Sequence, residues 1–441
     1  MNVQTISIDR NALRIPREIA ALLAALQLRE PDTASLDKLD NTEWNSLLNF
    51  CDLAHLTLPL AQLPDSGFPS WVVEKLKTNV ADNALRFERV KATYKEAADV
   101  LDRAGVDHIV IKGFTQAPDY IEDPHFRAQS DIDLYCPANR IEPARIALQS
   151  IGYKPYEETD NSRADHIPAM VRLGDWQWRG NLFDPEMPLS IELHFCLWNG
   201  VASLFQISGV NAFWDRRTTR VIDGLSFQCL SSVDHLGFLA LHILRNILGR
   251  DWVIHHVREL AMFLHSHAHD DAFWKAWSET HDPSLRKCEA IAFYHARAWF
   301  GCDLHEQAEI EIANLPAVQQ SWLRRFEGSS LENMFYPNKD SYWLHLTFIT
   351  SPIAKLTLFK RLLMPNLISS IDSPVVRFNN RRPLGSNSSQ RYRQYVTYLI
   401  YRSASFSYLS VSTILRGLRW RLSQHQLLRQ FWIFFLLPLF F

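Results

Sequence analysis

Several features that identify common protein classes are missing from this 441-residue sequence. Its six cysteines are widely scattered, and no two of them have the short spacing of zinc ribbons or redox motifs, so free thiols are expected. The first 30 residues include acidic residues and lack the uninterrupted apolar core and cleavage site of a secretory signal. No internal repeat is visible. We therefore expect a cytoplasmic protein without a disulfide framework.

The composition is that of a folded protein, with 47% hydrophobic and 21% charged residues, and the length suggests two or three domains. The net charge of -2 conceals an asymmetry. Residues 337–441 contain 14 Lys or Arg and only two acids, which makes this segment +12 and the remainder -14. The two parts are expected to have different electrostatic roles.

Apolar spacing predicts helices, then a mixed segment, then helices again. One helix is expected to have Asn41 or Thr42 as its cap, and a longer one runs from about residue 69 to 104 and ends at Gly105. Short runs that read as strands follow in "IVIKG", "SDIDLY" and "SIELHF", and helices resume near Ser232. We predict an α+β fold, a small mixed sheet with helices, divided into 1–104, 105–231, 232–336 and 337–441.

Two acids share one face of a predicted strand. Asp131 and Asp133 are separated by one residue, so their side chains project together while Ile132 and Leu134 enter the core. Glu192 lies on the polar face of the later strand. If the two strands are neighbours, three carboxylates converge, which suits Mg²⁺ or Mn²⁺ and can hold two metals about 4 Å apart for nucleotidyl transfer. Alternatively, the acids cap a turn or face water.

The surrounding residues favour a metal and phosphate site. Gly113 ends the upstream strand, where bare backbone can approach a phosphate, and Lys112 and Arg127 supply positive charge. His194 shares a face with Glu192, where it either orients the acid or touches the acceptor. His242, His255 and His256 lie on predicted helices, where core or groove positions are expected.

The segments "IKG", "FRAQSDIDLY" and "SIELHFCLW", after a "W…LL…AHLTLPL" helix, resemble the uncharacterised bacterial nucleotidyltransferase family of the polymerase-beta-type superfamily. The resemblance spans about residues 40 to 265. It implies a nucleotidyltransferase sheet, with Gly113 at the phosphate-cradling turn and Arg127 beside the triphosphate. It also implies that Asp131 and Asp133 are metal ligands and that Glu192 is the third carboxylate.

The sequence departs from the family pattern at two places. The usual Gly-Ser is Gly113-Phe114 here, and Thr115 or Ser130 are the hydroxyls that could replace the serine. An additional segment, "FTQAPDYIEDPH", separates Gly113 from the acids. It either shapes the acceptor pocket or forms an ordinary helix and loop.

The basic C-terminal segment has three open interpretations. Its last 11 residues are apolar, which is short of the about 20 that a membrane-spanning helix needs. Four arginines (416, 419, 421 and 429) beside Trp420 suggest an interfacial helix on anionic lipid, which would make the protein a peripheral membrane protein. Nucleic-acid binding and folding onto the acidic remainder of the chain are the other two interpretations.

These observations predict a metal-dependent nucleotidyltransferase that moves an NMP group from an NTP to an unknown acceptor and releases pyrophosphate. Asp131, Asp133 and Glu192 would hold Mg²⁺ or Mn²⁺, and Glu192 could act as general base. Lys112, Gly113, Arg127 and Ser130 would bind the nucleotide. A metal-dependent glycosyltransferase and a non-catalytic nucleotide-binding or interaction protein are the alternatives. Because the acids repel one another, Asp133→Asn is expected to leave the fold intact or slightly more stable.

Overall fold

The computed structural model describes residues 13–156, 165–363 and 388–423. The chain divides into two compact units, the first ending at Gly328 and the second beginning at Ser329. The four-part division that we derived from the sequence stays a prediction. The last 18 residues of the chain, including its apolar terminus, lie outside the described residues.

The first unit opens with four helices: α1 (Arg17–Ala25), α2 (Asn41–Ala54), α3 (Thr57–Ala61) and α4 (Ser70–Arg103). The predicted start of α2 is wrong by one or two residues. Asp40 is the cap, because its side chain accepts bonds from two backbone amides while Glu43 bonds back to Asp40 in a capping box. The long helix α4 is confirmed, and Gly105 follows it with a φ of 65°.

A seven-stranded sheet follows α4 in the described residues. Its strands are β1 (Ile109–Val110), β2 (Asp131–Tyr135), β3 (Lys154–Pro155), β4 (Met170–Val171), β5 (Ser190–His194), β6 (Thr218–Ile222) and β7 (Leu225–Cys229). The strand order is β3-β4-β5-β2-β1-β7-β6. The pairs β2–β5 and β1–β7 are parallel and the others antiparallel, so the sheet is mixed. The predicted α+β class is confirmed.

One face of the sheet forms the core of this region. Ile132, Leu134, Ile191 and Leu193 are fully buried there, in one cluster with apolar residues of α4. Helix α5 (Ile141–Ser150) also packs on the sheet. Because side chains alternate along a strand, this burial leaves the polar residues of β2 and β5 on the opposite face.

The remaining helices of the first unit are α6 (Gly200–Ser203), α7 (Ser232–Gly249), α8 (Ile254–Ser266), α9 (Asp271–Thr280), α10 (Pro283–Phe300), α11 (Glu306–Ala313) and α12 (Ala317–Phe326). Helix α10 packs against α7 and α8. This packing makes α7 and α8 a rigid support for the side chains that project from them.

The second unit contains α13 (Ser329–Glu332), α14 (Ser341–Phe348), α15 (Pro352–Leu363) and α16 (Ser388–Ser423). Lys339 is buried there, and its ammonium donates to the Ser410 hydroxyl at 2.7 Å. On α16, Arg416 pairs with Asp340 at 3.0 Å. Four large apolar side chains of α16 remain exposed at helical spacing, namely those of Tyr408, Val411, Leu415 and Leu418. No helix within the described ranges is long and apolar enough to cross a membrane.

Candidate active site

The register of β2 and β5 brings the predicted acids together. The two strands are parallel neighbours, with Asp133 opposite Glu192 and Asp131 opposite Ser190. The carboxylates therefore lie on the sheet face that the core does not occupy. We call Asp131, Asp133 and Glu192 the acid cluster.

Asp133 is the most strongly paired member of the acid cluster. It is 3% exposed, and its Oδ1 lies 2.5 Å from the Lys112 ammonium and 2.9 Å from Nε2 of His194. Burial alone would raise the pKa of this carboxyl. The two neighbouring cations outweigh burial and hold the pKa well below its usual range. Asp133 is therefore ionised and fixed in place.

Asp131 has the opposite electrostatic behaviour, although it is only two residues away. Burial and the charges of Asp133 and Glu192 raise the pKa of Asp131 to about 7. Its backbone is held firmly, because Gln129 Nε2 donates to the Asp131 carbonyl at 2.6 Å. Asp131 therefore has a fixed backbone, and the positive charge around its carboxyl group does not balance the neighbouring negative charges.

His194 lies among several carboxylates. Its Nε2 faces Asp133 and is 3.7 Å from Oε2 of Glu192, while its Nδ1 is 3.7 Å from Oδ2 of Asp165. Burial lowers its pKa, but hydrogen bonding to Asp133 and the other two acids prevails and raises the pKa to about 10. Burial and the charge of Asp133 act to raise the pKa of Glu192, but His194, His166 and Lys112 outweigh them and lower it. His194 and Glu192 project from the same face of β5, as the alternation of side chains along a strand predicts.

The acid cluster fits a divalent cation. An oxygen of Asp133, an oxygen of Glu192 and a ring nitrogen of His194 lie within 4.8 Å of one another. The two carboxylates can share one cation, and His194 can join them as a ligand only in its neutral form. Three carboxylates face two cations, Lys112 and protonated His194, so the charge within the group is not balanced. Burial, together with this deficit, raises the pKa of Asp131. Carboxylate oxygens are the preferred ligands of Mg²⁺ and Mn²⁺.

The turn after β1 depends on glycine. Gly113 has a φ of 75°, and a Cβ there would come within 2.3 Å of Nε2 of Gln129. A side chain is therefore excluded both by backbone conformation and by space. Lys112, just before it, is directed at Asp133.

The two hydroxyls considered as replacements for the family serine differ in access. Thr115 is 1% exposed and its Oγ1 donates to the Lys112 carbonyl at 3.3 Å, so it is committed to the local backbone. Ser130 is exposed directly before Asp131. The additional segment between Gly113 and the acids packs into the core, where Tyr120 stacks on Phe263 at a centroid separation of 4.6 Å.

Arg127 is held by a residue from the helical part of the unit. Its Nε donates to Oε1 of Glu259 on α8 at 2.9 Å, and its side chain is 11% exposed. Glu259 is also buried. Burial acts to raise the pKa of Glu259, but Arg127 and His256 outweigh burial and lower this pKa to about 2.

Comparison with protein families identifies the chain. Residues 40–301 match the family described as an uncharacterised nucleotidyltransferase. The chain belongs to this family. The match confirms the resemblance stated from the sequence and extends it beyond residue 265, into α10. Neither the curated proteins nor the solved structures that were compared gave a match.

Some residues around this candidate site were missed by the sequence analysis. Asp165 pairs with Arg245 of α7 and faces His194, but its segment has no strand or helix pattern to place it. A signal did exist in α4. Asn79, Asn83 and Arg86 are buried polar residues at helical spacing, and the last two donate to backbone carbonyls between residues 125 and 129. They anchor the segment that leads into Asp131.

Proposed function

We propose that this family member is a metal-dependent nucleotidyltransferase that transfers an NMP group from an NTP to an acceptor hydroxyl and releases pyrophosphate. The parallel pairing of β2 with β5, which sets Asp133 opposite Glu192, is the observation that carries the proposal. The charge deficit of the acid cluster supports it, because a divalent cation would complete the balance.

Asp131, Asp133 and Glu192 would hold one or two Mg²⁺ or Mn²⁺ ions. When bound, such ions offset the negative charge that develops on the reacting phosphate oxygens. Lys112 and His194 keep Asp133 ionised and oriented. Glu192 has 22% of its side chain exposed, so it can reach an acceptor hydroxyl and take its proton.

Gly113, Arg127 and Ser130 would contribute to nucleotide binding. The bare backbone of Gly113 permits close approach of a phosphate. Nε of Arg127 is occupied by Glu259, and the terminal nitrogens of a guanidinium in this geometry can still bond a phosphate. Ser130 offers an exposed hydroxyl one residue before Asp131.

The proposal is tested by incubating the protein with Mg²⁺ and α-labelled NTPs in the presence of cell extract. We expect label on an acceptor and one pyrophosphate per transfer. Asp133→Asn should abolish both, whereas Asp223→Asn, a surface control, should not. A nucleoside diphosphate product from a nucleotide sugar would indicate the glycosyltransferase alternative. Binding of Mg²⁺-NTP without any turnover would indicate a non-catalytic protein.

Arg127 can be tested separately by comparing two ligands. Arg127→Ala should weaken NTP binding by roughly 10- to 150-fold, the equivalent of a charge-assisted hydrogen bond, and weaken NMP binding less. An NMP lacks the β- and γ-phosphates at which the guanidinium would be aimed. Equal weakening of both ligands, measured by calorimetry, would place Arg127 away from the terminal phosphates.

We also propose that the basic C-terminal segment contacts anionic membrane surfaces. The exposed apolar stripe of α16 from Tyr408 to Leu418 supports this, because an interfacial helix combines such a stripe with arginines. Deleting residues 418–441 and replacing Tyr408, Val411 and Leu415 by serine should release the protein from anionic vesicles and leave NTP binding intact. Unchanged sedimentation with vesicles would contradict this proposal, and release from RNA or DNA instead would favour nucleic-acid binding.

A further inference from the structure

Two arginines beside the acid cluster are joined by side chains from α7 and α8. At one end, Nη2 of Arg245 donates to Nδ1 of His242 at 2.9 Å. Nε2 of His242 then lies 3.1 Å from Nε2 of His256. The two rings are perpendicular, with an interplanar angle of 89° and centroids 4.5 Å apart.

The connection continues to the second arginine. Nδ1 of His256 lies 3.3 Å from Oε2 of Glu259, and the other oxygen of Glu259 accepts the bond from Nε of Arg127 at 2.9 Å. Four contacts therefore link Arg245 to Arg127 without interruption. We call His242, His256 and Glu259 the bridge.

The directions of these hydrogen bonds are mutually consistent if both histidines are neutral and the Asn246 amide nitrogen, 3.3 Å from Nε2 of His242, does not donate to that atom. The Glu259 carboxylate can only accept, so Nδ1 of His256 carries the proton and its Nε2 is an acceptor. His242 must then donate through Nε2, which leaves its Nδ1 free to accept from Arg245. Burial, with nearby cations, lowers the pKa of both histidines and keeps them neutral. Each tautomer is thus set by its neighbour.

The two arginines that the bridge joins both lie near the acid cluster. Arg245 pairs with Asp165, which faces His194. The side chain of Arg245 is 37% exposed. Arg127 lies four residues before Asp131 and interacts with its charge. His242 is also partly exposed. These basic groups lie beside the acid cluster. The phosphates of a nucleotide need basic groups, and the cation that accompanies them needs carboxylates.

We propose that the bridge is a positioning device that holds Arg127 and Arg245 as a pair for binding the triphosphate of the nucleotide. The choice of ligand rests on the proposed function. A triphosphate carries several anionic oxygens that more than one guanidinium group can bind, and each guanidinium can bond phosphate oxygens through parallel N–H groups. Preorganised side chains lose less freedom on binding, which is the advantage that the bridge supplies.

The proposal is tested with inorganic triphosphate in the absence of divalent cations, with calorimetry on the full chain. We expect Arg127→Ala, Arg245→Ala and His256→Phe each to weaken binding by about tenfold or more. The matched control is His255→Phe. His255 is the adjacent residue on α8, its ring is 3.9 Å from that of His256, and it is outside the bridge. Its replacement should change the affinity less than about twofold.

A double variant separates positioning from a general structural effect. Because His256 acts through both arginines, His256→Phe should reduce the affinity less in an Arg127→Ala background than in the parent, where it disturbs both of them. His256→Gln retains a donor and an acceptor and should recover part of the affinity that His256→Phe loses. Independent, additive losses, an unaffected His256→Phe, or a parent protein that does not bind triphosphate would each overturn the proposal.

Failure of the bridge proposal can be distinguished from failure of the proposed nucleotidyl transfer. Triphosphate binding without metal does not depend on turnover. If the bridge variants weaken triphosphate binding while the parent releases no pyrophosphate from any NTP, the bridge stands and the proposed reaction fails. If pyrophosphate is released but the bridge variants bind triphosphate like the parent, the reaction stands and the bridge proposal fails.

Discussion

Two buried groups of charges in the first unit have similar composition and different balance. The acid cluster on the sheet combines three carboxylates with Lys112 and His194. The second group, which we call the helical cluster, combines Asp234 of α7, Glu289 of α10, His281 and Arg216. Both place a histidine between carboxylates, and in both the histidine has a raised pKa.

Every oxygen of the helical cluster has a partner. Arg216 donates to both oxygens of Asp234, and Ser231 adds a bond of 2.7 Å. His281 bridges the two acids, with Nδ1 2.8 Å from Glu289 and Nε2 3.3 Å from Asp234. The remaining oxygen of Glu289 accepts from a tryptophan. Two negative charges meet two positive charges; both carboxylates and His281 are closed to solvent, and 35% of the Arg216 side chain is exposed.

The comparison shows that burial of charge does not by itself identify a functional site. The helical cluster is balanced, fully hydrogen-bonded and closed, which is the arrangement expected of a structural connection. The acid cluster is short of positive charge and partly open at Glu192. Spare negative charge and access are what a site for a cation and its nucleotide requires, so the two groups should respond differently to mutation and to Mg²⁺.

The largest effect on stability is expected in the helical cluster. His281→Ala should lower the free energy of unfolding by about 3–5 kcal/mol, because it leaves two buried carboxylates without their shared cation. Urea denaturation measures the loss, with the exposed His269→Ala as control. Mg²⁺ should not change the difference. A loss below about 1 kcal/mol would mean that the cluster is not the structural connection described above.

The pH dependence of this contribution has a defined direction. Burial lowers the pKa of His281, but Glu289 and Asp234 raise it to about 9 in the folded protein. Its stabilising effect is therefore complete below about pH 6.5 and is lost as the pH rises through about 9. The stability advantage of the parent over His281→Gln should shrink by roughly 1.4 kcal/mol per pH unit across this range. A constant advantage would show that His281 is neutral in the folded state.

Asp133→Asn should reduce both turnover and stability. Turnover should fall more than about 100-fold, since an amide is a poorer cation ligand than a carboxylate. Stability should fall by about 1–3 kcal/mol, because Lys112 and His194 lose a buried ionised partner. The ion pairs thus reverse the sign expected from carboxylate repulsion alone. Urea unfolding measures the stability and pyrophosphate release measures the turnover. A variant more stable than the parent would show that repulsion among the carboxylates outweighs the ion pairs.

Asp131→Asn should behave in the opposite way for stability. The raised pKa of Asp131 means that its ionisation opposes folding, a cost that grows from about pH 4 to 7 and then levels off. Without metal, the variant should therefore match the parent near pH 4 and be more stable near pH 8 by up to about 4 kcal/mol. Mg²⁺ should stabilise the parent more than the variant. Equal melting temperatures at both pH values would show that the cluster has no charge deficit.

Much of the fold could be predicted because its signals are local. The stripe of α4 and the alternation in β2 and β5 are periodic patterns within single segments, so the helix, the strands and the faces of Asp131 and Glu192 follow from them. The cap of α2 was misplaced because Asp40 lies just outside the apolar pattern. The family resemblance was also carried by short motifs, and the family match confirms it.

The sequence by itself determined which side chains share a strand face, because the two-residue repeat of a strand is a property of the backbone. Only the tertiary structure decided which charges meet. Glu259 is 132 residues from Arg127, and Asp165 is 80 residues from Arg245, so no spacing rule joins them. The contrast between Asp131 and Asp133 has the same origin. Both acids are on one strand, but Lys112 and His194 reach only Asp133 as bonded partners, because folding sets β1 and β5 on the two sides of β2.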